Sequence, residues 1–258
     1  MADKPKKSLG QHWLTDDQIL NGIADAAQVT AGDQVLEIGP GQGSLTDILL
    51  SRGAKVTAVE LDTSLAEKLS SQNKQNLQVI NQDILSFDFS RLEQGYKIVA
   101  NIPYYLTSNL VRVISETSNS PTMAVILIQK EVAERASAQP GNMSILSVTA
   151  QFYWQVSLGI IVPPEAFEPP PKVDSQVLIL QKRTTPLYGD VEPKEFFRLV
   201  KAGFSQKRKT LLNSLSAGLQ LDKESVKQIC ESVGIDPGRR PQTLSLDEWH
   251  NLYLSYIT

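Results

Sequence analysis

The chain's 258 residues suit one domain of about 180 residues with a smaller appendage, and they do not demand two equal domains. With 41% hydrophobic and 21% charged residues it can bury a core, and the net charge of −3 argues against a surface that coats nucleic acid all over. The single cysteine, Cys230, excludes an internal disulfide framework and a multi-cysteine metal site, which fits a reducing, cytoplasmic setting.

No apolar run follows the charges of residues 1–7, and none elsewhere is long enough to cross a bilayer, so a soluble protein is expected. In chain order, the strand-length runs are Val35–Ile38, Lys55–Val59, Leu77–Ile80, Lys97–Ala100 and Met123–Ile128. Between them, Leu45–Leu50, Ser64–Leu69 and Leu110–Ile114 repeat apolar residues at helical spacing. Strand, helix, strand at this rhythm predicts an α/β fold with a mostly parallel sheet. Val156–Val162 and Val177–Leu180 are separated by a proline-rich loop without a helix, so they are expected to pair antiparallel at one end of that sheet. Seven of the 14 prolines fall between Pro163 and Pro193, and Thr184–Asp190 reads as a linker. The domain boundary is therefore set at 185/186. Phe196, Phe197, Val200, Phe204, Leu211, Leu212 and Leu215, then Val226, Ile229 and Val233, fall on helical stripes and predict an all-α second domain. Residues 1–180 carry 13 basic and 19 acidic groups, whereas residues 181–258 carry 12 and 9, so the tail is net positive.

Four motifs fall at predicted strand ends. Gly39-Pro40-Gly41-Gln42-Gly43 follows the first strand and opens a helix, where glycines let the backbone turn tightly and approach a ligand. Its spacing is Gly-x-Gly-x-Gly. The dinucleotide pattern Gly-x-Gly-x-x-Gly would need glycine at Ser44 or Thr46 and is absent. Glu60 ends the second strand, where a carboxylate can accept both hydroxyls of a ribose; the neighbouring Asp62 is the better helix N-cap. Asp83 follows the third strand and can accept from an exocyclic amine, or it can simply be a turn aspartate.

Asn101-Ile102-Pro103-Tyr104 follows the fourth strand. An adenine amine is a feeble nucleophile because its lone pair is delocalised into the ring. Two acceptors, the Asn101 side-chain oxygen and the Ile102 carbonyl, would hold its hydrogens and aim the lone pair at an electrophile. Pro103 fixes the direction of that carbonyl, and Tyr104 offers a face for an extruded base.

The order Gly-x-Gly-x-Gly, Glu, Asp, Asn-Ile-Pro-Tyr resembles the S-adenosylmethionine-dependent adenine-N6 methyltransferases. Lys7–Leu14, Val162–Ser175 and Ala202–Leu211 resemble, more closely, the bacterial small-subunit (16S) ribosomal RNA adenine dimethyltransferase family, and the likeness runs from about residue 6 to the C-terminus. The resemblance implies a Rossmann-like class I methyltransferase domain, 1–185, and a helical RNA-binding domain, 186–258. It implies S-adenosylmethionine as cofactor, no metal, and the small ribosomal subunit with its 16S rRNA as partner of a monomeric enzyme.

Position by position, the resemblance places His12 and Leu14 over the cofactor, although the family's Asn-Phe is His12-Trp13 here. It sets Gly39 and Gly41 along the methionine part, Glu60 with Leu61 at the ribose, and Asp83 with Ile84 at the cofactor's adenine. Asn101, Ile102, Pro103 and Tyr104 would hold the target base, with Phe167 stacking opposite Tyr104. The implied reaction is N6,N6-dimethylation of two adjacent adenosines in a hairpin loop. The alternatives are the related 23S rRNA enzyme of macrolide resistance and an assembly factor with dispensable catalysis. In the tail, Arg198, Lys201, Lys207, Arg208, Lys209, Arg239 and Arg240 form a basic surface suited to RNA phosphates.

Overall fold

The computed structural model describes residues 5, 6 and 10–258; Lys7, Ser8 and Leu9 of the N-terminal motif lie outside the described residues. The chain divides into two compact units, residues 1–134 with 154–182 and residues 135–153 with 183–258.

In the first unit, β1 (Trp13–Leu14) and α1 (Asp17–Ala26) precede β2 (Gln34–Ile38), α2 (Ser44–Ser51), β3 (Lys55–Glu60), α3 (Thr63–Ser71) and β4 (Leu77–Asn81). Then come β5 (Lys97–Asn101), α4 (Thr107–Glu116), β6 (Met123–Gln129), and α5 (Lys130–Ala136), which leads into the second unit. The chain returns for β7 (Trp154–Val162), β8 (Phe167–Glu168) and β9 (Ser175–Lys182). Seven strands form one sheet in the order β4-β3-β2-β5-β6-β9-β7. The first five are parallel, and β9 pairs antiparallel with β7 at one end of the sheet, as the sequence predicts, and also antiparallel with β6. β1 and β8 pair antiparallel as a separate two-stranded sheet, which the sequence did not predict.

The parallel strands read as nearly continuous apolar runs because both of their faces are covered. Val35, Val56, Val99 and Val125 point one way and pack with Leu20, Ile23 and Ala24 of α1 and Leu45 and Leu49 of α2. Leu36, Ile98, Ala124 and Ile126 alternate with them and are equally buried. From β2 the chain winds out through β3 to β4, then returns to the other side of β2 through β5. The strand order therefore reverses between β2 and β5, the place where open α/β sheets leave a crevice at their carboxyl edge.

The second unit contains α6 (Ile145–Tyr153), α7 (Pro193–Phe204), α8 (Leu211–Leu219), α9 (Lys223–Ser232) and α10 (Leu246–Ile257). Its core joins Phe152, Phe196, Phe197, Leu215, Cys230, Trp249 and Leu252. Two glycines allow close helix packing, Gly218 of α8 against α7 and Gly203 of α7 against α10. A Cβ on Gly218 would stand 2.7 Å from Ala202, and one on Gly203 would stand 2.4 Å from the Trp249 ring.

The sequence boundary at 185/186 assigned residues 135–153 to the first domain; in the structure they belong to the helical unit. The physical reason is the aromatic face of α6: Phe152 stacks on Phe196 at 4.9 Å and meets Phe197 edge-on at 5.3 Å. Unit membership follows the core a side chain joins, and linear composition does not carry that information. Among the described residues no helix is long and apolar enough to cross a membrane.

Candidate active site

Four loops at the carboxyl edge of the parallel strands, together with the N-terminal segment, enclose one cleft. The cleft is open to solvent at its mouth. Its lining includes His12, Leu14, Gly39, Gly41, Glu60, Leu61, Asp83, Ile84, Asn101, Ile102, Pro103, Tyr104 and Phe167. The structure thus brings together in one place all of the cofactor and base-pocket residues expected from the sequence.

Gly41 has φ +56°, and a Cβ there would lie 3.2 Å from the Trp13 ring, so both its backbone conformation and its neighbour demand glycine. Glu60 is 6% exposed and held from both sides: Oε2 accepts from the Gly41 N–H at 3.0 Å and Oε1 from the Asp62 N–H at 2.9 Å. Burial raises its pKa above the ordinary carboxylate value, and these two N–H donors pull the other way. The result is a carboxylate already oriented, with lone pairs left for a vicinal diol.

Asp62 caps α3 as expected, accepting from the Ser64 N–H at 3.2 Å. It also receives Lys6 Nζ at 2.8 Å and Gln11 Nε2 at 3.3 Å. Burial alone would raise its pKa, but these partners outweigh that and hold it below the usual range. Through Asp62 the N-terminal segment is tied across the cleft. Asp83 accepts from the Leu85 N–H at 2.9 Å through Oδ1, so it is both a turn cap and a cleft residue, with Oδ2 left to accept.

Asn101 ends β5 and directs Nδ2 toward the His12 carbonyl at 3.4 Å, which leaves Oδ1 as an acceptor in the cleft. The Tyr104 hydroxyl is 2.8 Å from Ser175 Oγ, which is fully buried, and burial raises the phenol's pKa. This contact fixes the ring face. His12 donates from Nδ1 to the Pro169 carbonyl at 2.7 Å and stacks on Tyr104 with ring centroids 6.1 Å apart. The imidazole is therefore anchored to the proline-rich loop beside the tyrosine, and only Nε2 remains for a ligand. Phe167 is buried, and β8 holds it opposite Leu14 of β1.

Glu37 is among the wall residues that sequence reasoning passed over. Glu37 lies in the otherwise apolar run Val35–Ile38 and is 1% exposed; Thr46 Oγ1 donates to its Oε2 at 2.6 Å, and its Oε1 has no partner. An acid inside an apolar strand was the available signal. Burial pushes its pKa up to about 8, with Glu60 and Asp47 adding to the rise and Thr46 and Lys74 opposing it.

Because the folded pKa lies above the unfolded one, the protonated acid favours the fold. That contribution is complete below about pH 4.5 and is lost as pH rises toward 8. Glu37→Gln keeps an acceptor for Thr46 and cannot ionise. We expect its melting temperature to fall less than that of the wild type between about pH 5 and pH 8, by a difference on the order of 2–4 kcal/mol in stability. Parallel thermal melts at the two pH values check this; equal slopes would return Glu37 to an ordinary carboxylate.

The basic candidates lie in the helical unit. Lys207, Arg208 and Lys209 are exposed in the turn between α7 and α8, and not on a helix face. The neighbouring loop is bound to that turn's end, since the Leu211 N–H donates to the Arg239 carbonyl at 2.8 Å and Leu212 to Pro237 at 3.0 Å. This brings the exposed Arg240 toward the cluster. Lys201 is exposed on α7, where Arg198 also pairs with Glu195 at 3.2 Å. Arg239 departs from the expectation. Its guanidinium ion-pairs with Glu248 and donates to the Thr243 carbonyl at 2.7 Å, so its donors hold the loop to α10 and are not presented to phosphate.

A doubly wound sheet with a glycine turn after β2, an oriented acid at the end of β3 and Asn-Ile-Pro-Tyr starting at the end of β5 defines a class I methyltransferase. Its cofactor is S-adenosylmethionine, and the cleft fits it: a backbone cradle free of side chains at Gly41, an acceptor for a diol at Glu60, and an acceptor for an amine at Asp83. The chain belongs to the ribosomal RNA adenine dimethylase family, whose description matches residues 2–258; it is an rRNA adenine dimethyltransferase. It is 42% identical to the Ribosomal RNA small subunit methyltransferase A of Dehalococcoides mccartyi strain CBDB1, over 98% of this chain and 89% of that one. Among solved structures it is similar to a dimethyladenosine transferase from Plasmodium falciparum, with 28% identity, a TM-score of 0.77, and 95% and 98% of the two chains covered. It is also similar to the 23S rRNA methyltransferase ErmE, with 26% identity, a TM-score of 0.74, and 95% and 100% covered.

Proposed function

We propose that the chain places two methyl groups on N6 of each of two adjacent adenosines in a hairpin loop of small-subunit (16S) rRNA, acting as a cytoplasmic monomer during ribosome biogenesis. The observation that carries this reading is the free Asn101 Oδ1, in the same cleft as the oriented Glu60 carboxylate and the anchored Tyr104 ring. S-adenosylmethionine supplies, when bound, a methyl group activated by its positive sulfonium.

The chain's own residues do the rest. Gly39 and Gly41 leave room for the methionine portion; Glu60, beside Leu61, accepts the ribose hydroxyls, and Asp83, beside Ile84, accepts the cofactor's amine. Leu14 packs beneath, and His12 offers Nε2. Asn101 Oδ1 and the Ile102 carbonyl hold the two hydrogens of the target amine, so that the nitrogen lone pair faces outward from the pair of acceptors. Tyr104 supplies the stacking face, and Phe167 closes the pocket opposite it. The amine's proton leaves to solvent after attack, so no strong base is required, and the rate comes from orientation and fixed dipoles.

The exposed residues Lys201, Lys207, Arg208, Lys209 and Arg240, with Arg198, grip RNA phosphates without reading sequence. The small-subunit choice is supported by 42% identity to a relative named for that subunit, against 26% to the 23S enzyme of known structure.

The test is to incubate the protein and labelled S-adenosylmethionine with unmethylated small subunits and, separately, with large subunits. We expect label in the small-subunit RNA alone, as N6,N6-dimethyladenosine. Label only in the large subunit would transfer the reading to the 23S class, and binding to small subunits without any label would mean an assembly factor.

A further inference from the structure

Two consecutive tyrosines follow Pro103, and the structure treats them differently. They form a single 3-10 turn, Tyr104–Leu106, in which successive side chains point about 120° apart. Tyr104 is turned inward and tied to the buried Ser175. Tyr105 is turned outward and is 64% exposed, more than any other large apolar side chain among the described residues. It nevertheless lines the cleft, at its mouth. Its ring rests beside Gly10, where an added Cβ would lie 3.8 Å from the ring edge.

A single exposed ring needs no explanation by itself, but this one lines the cleft that holds the base-pocket residues, so it is placed to meet whatever strand enters there. If the inner tyrosine stacks the adenine drawn into the pocket, the next nucleotide of the same strand must lie just outside, still attached through one phosphate. A nucleobase there is a flat, weakly solvated surface of the kind that an exposed tyrosine captures well.

We infer that Tyr105 is a positioning residue that stacks the nucleobase adjacent to the target adenosine and so holds the strand while the target lies in the pocket. This rests on the functional reading above and extends it. For two adjacent adenosines, the same platform would hold whichever one is waiting while the other reacts. A purine fills the platform better than a pyrimidine, so the identity of the neighbour enters the rate without any hydrogen bond to its edge.

The test uses small subunits whose rRNA carries either adenosine or uridine beside one target adenosine, with subsaturating single-turnover transfer to that target as the readout. Wild type is expected to react faster with the adenosine neighbour. Tyr105→Ala should slow transfer about tenfold with the adenosine neighbour, the scale of one base–aromatic stack, and should respond far less to the exchange for uridine. Tyr105→Phe should behave like wild type. S-adenosylmethionine affinity and melting temperature should stay unchanged in both variants, because the ring is mostly exposed and belongs to neither buried core. Equal losses of Tyr105→Ala with both neighbours, or no loss with either, would overturn the inference. So would a loss in Tyr105→Phe matching that of Tyr105→Ala, since it would assign the role to the hydroxyl. If wild type transfers nothing to small subunits of either kind, the functional reading itself fails and takes this inference with it; that outcome is separately visible in the wild-type arm.

Discussion

Asn101→Ala is expected to lower single-turnover methyl transfer by at least ~10²-fold while leaving affinity for the small subunit close to wild type. The side chain ends β5, directly opposite Leu127 of β6, so its position is set by the sheet. Among the described residues its side chain donates through Nδ2 to the His12 carbonyl, and on the proposed reading Oδ1 is left for the target amine. Alanine removes that acceptor without disturbing Glu60, and on the proposed reading phosphate contacts made by the helical unit supply most of the binding. Tyr104 separates stacking from polarity at the same pocket. Tyr104→Ala should lose most transfer because nothing then holds the extruded base. Tyr104→Phe should keep most of it, at a stability cost of about 1 kcal/mol for leaving the buried Ser175 hydroxyl without its partner. Transfer rates and subunit affinities for the three variants check this. A near wild-type rate for Asn101→Ala would refute the two-acceptor arrangement.

The second large effect is on cofactor affinity. Glu60→Ala should raise the dissociation constant for S-adenosylmethionine well over tenfold, since each charge-assisted bond to the ribose is worth roughly 1.5–3 kcal/mol. The structure adds a consequence that the motif did not suggest. Glu60 also receives the Gly41 and Asp62 N–H groups, so alanine leaves two backbone donors without their acceptor. The melting temperature should fall as well, by the equivalent of about 1–3 kcal/mol for each buried donor. Glu60→Gln keeps one acceptor oxygen and should recover part of the stability but less of the affinity. Calorimetry on folded variants is the measurement; unchanged affinity in Glu60→Ala would remove this residue from the site.

The local features of this protein were legible from its residues. Apolar runs marked β2, β3, β4, β5 and β6, and the ligand candidates stood immediately after them, because a strand end and the loop that follows are neighbours in sequence as well as in space. Asp62, not Glu60, as the cap of α3 followed from the geometry of a shorter side chain. What only the tertiary structure decided depends on partners far along the chain. His12 finds the Pro169 carbonyl 157 positions away, and Trp13 and Leu14 find β8. Glu37 is read as a charged residue until the sheet buries it and leaves Oε1 unpartnered. Arg239 is one more basic residue until Glu248 claims it, and residues 135–153 belong to the first domain until Phe152 joins Phe196. Periodicity and turn chemistry are properties of a few adjacent residues, so the sequence carries them openly. Burial, ion pairing and core membership belong to whichever surfaces meet in the folded chain, and they exist only once it has folded.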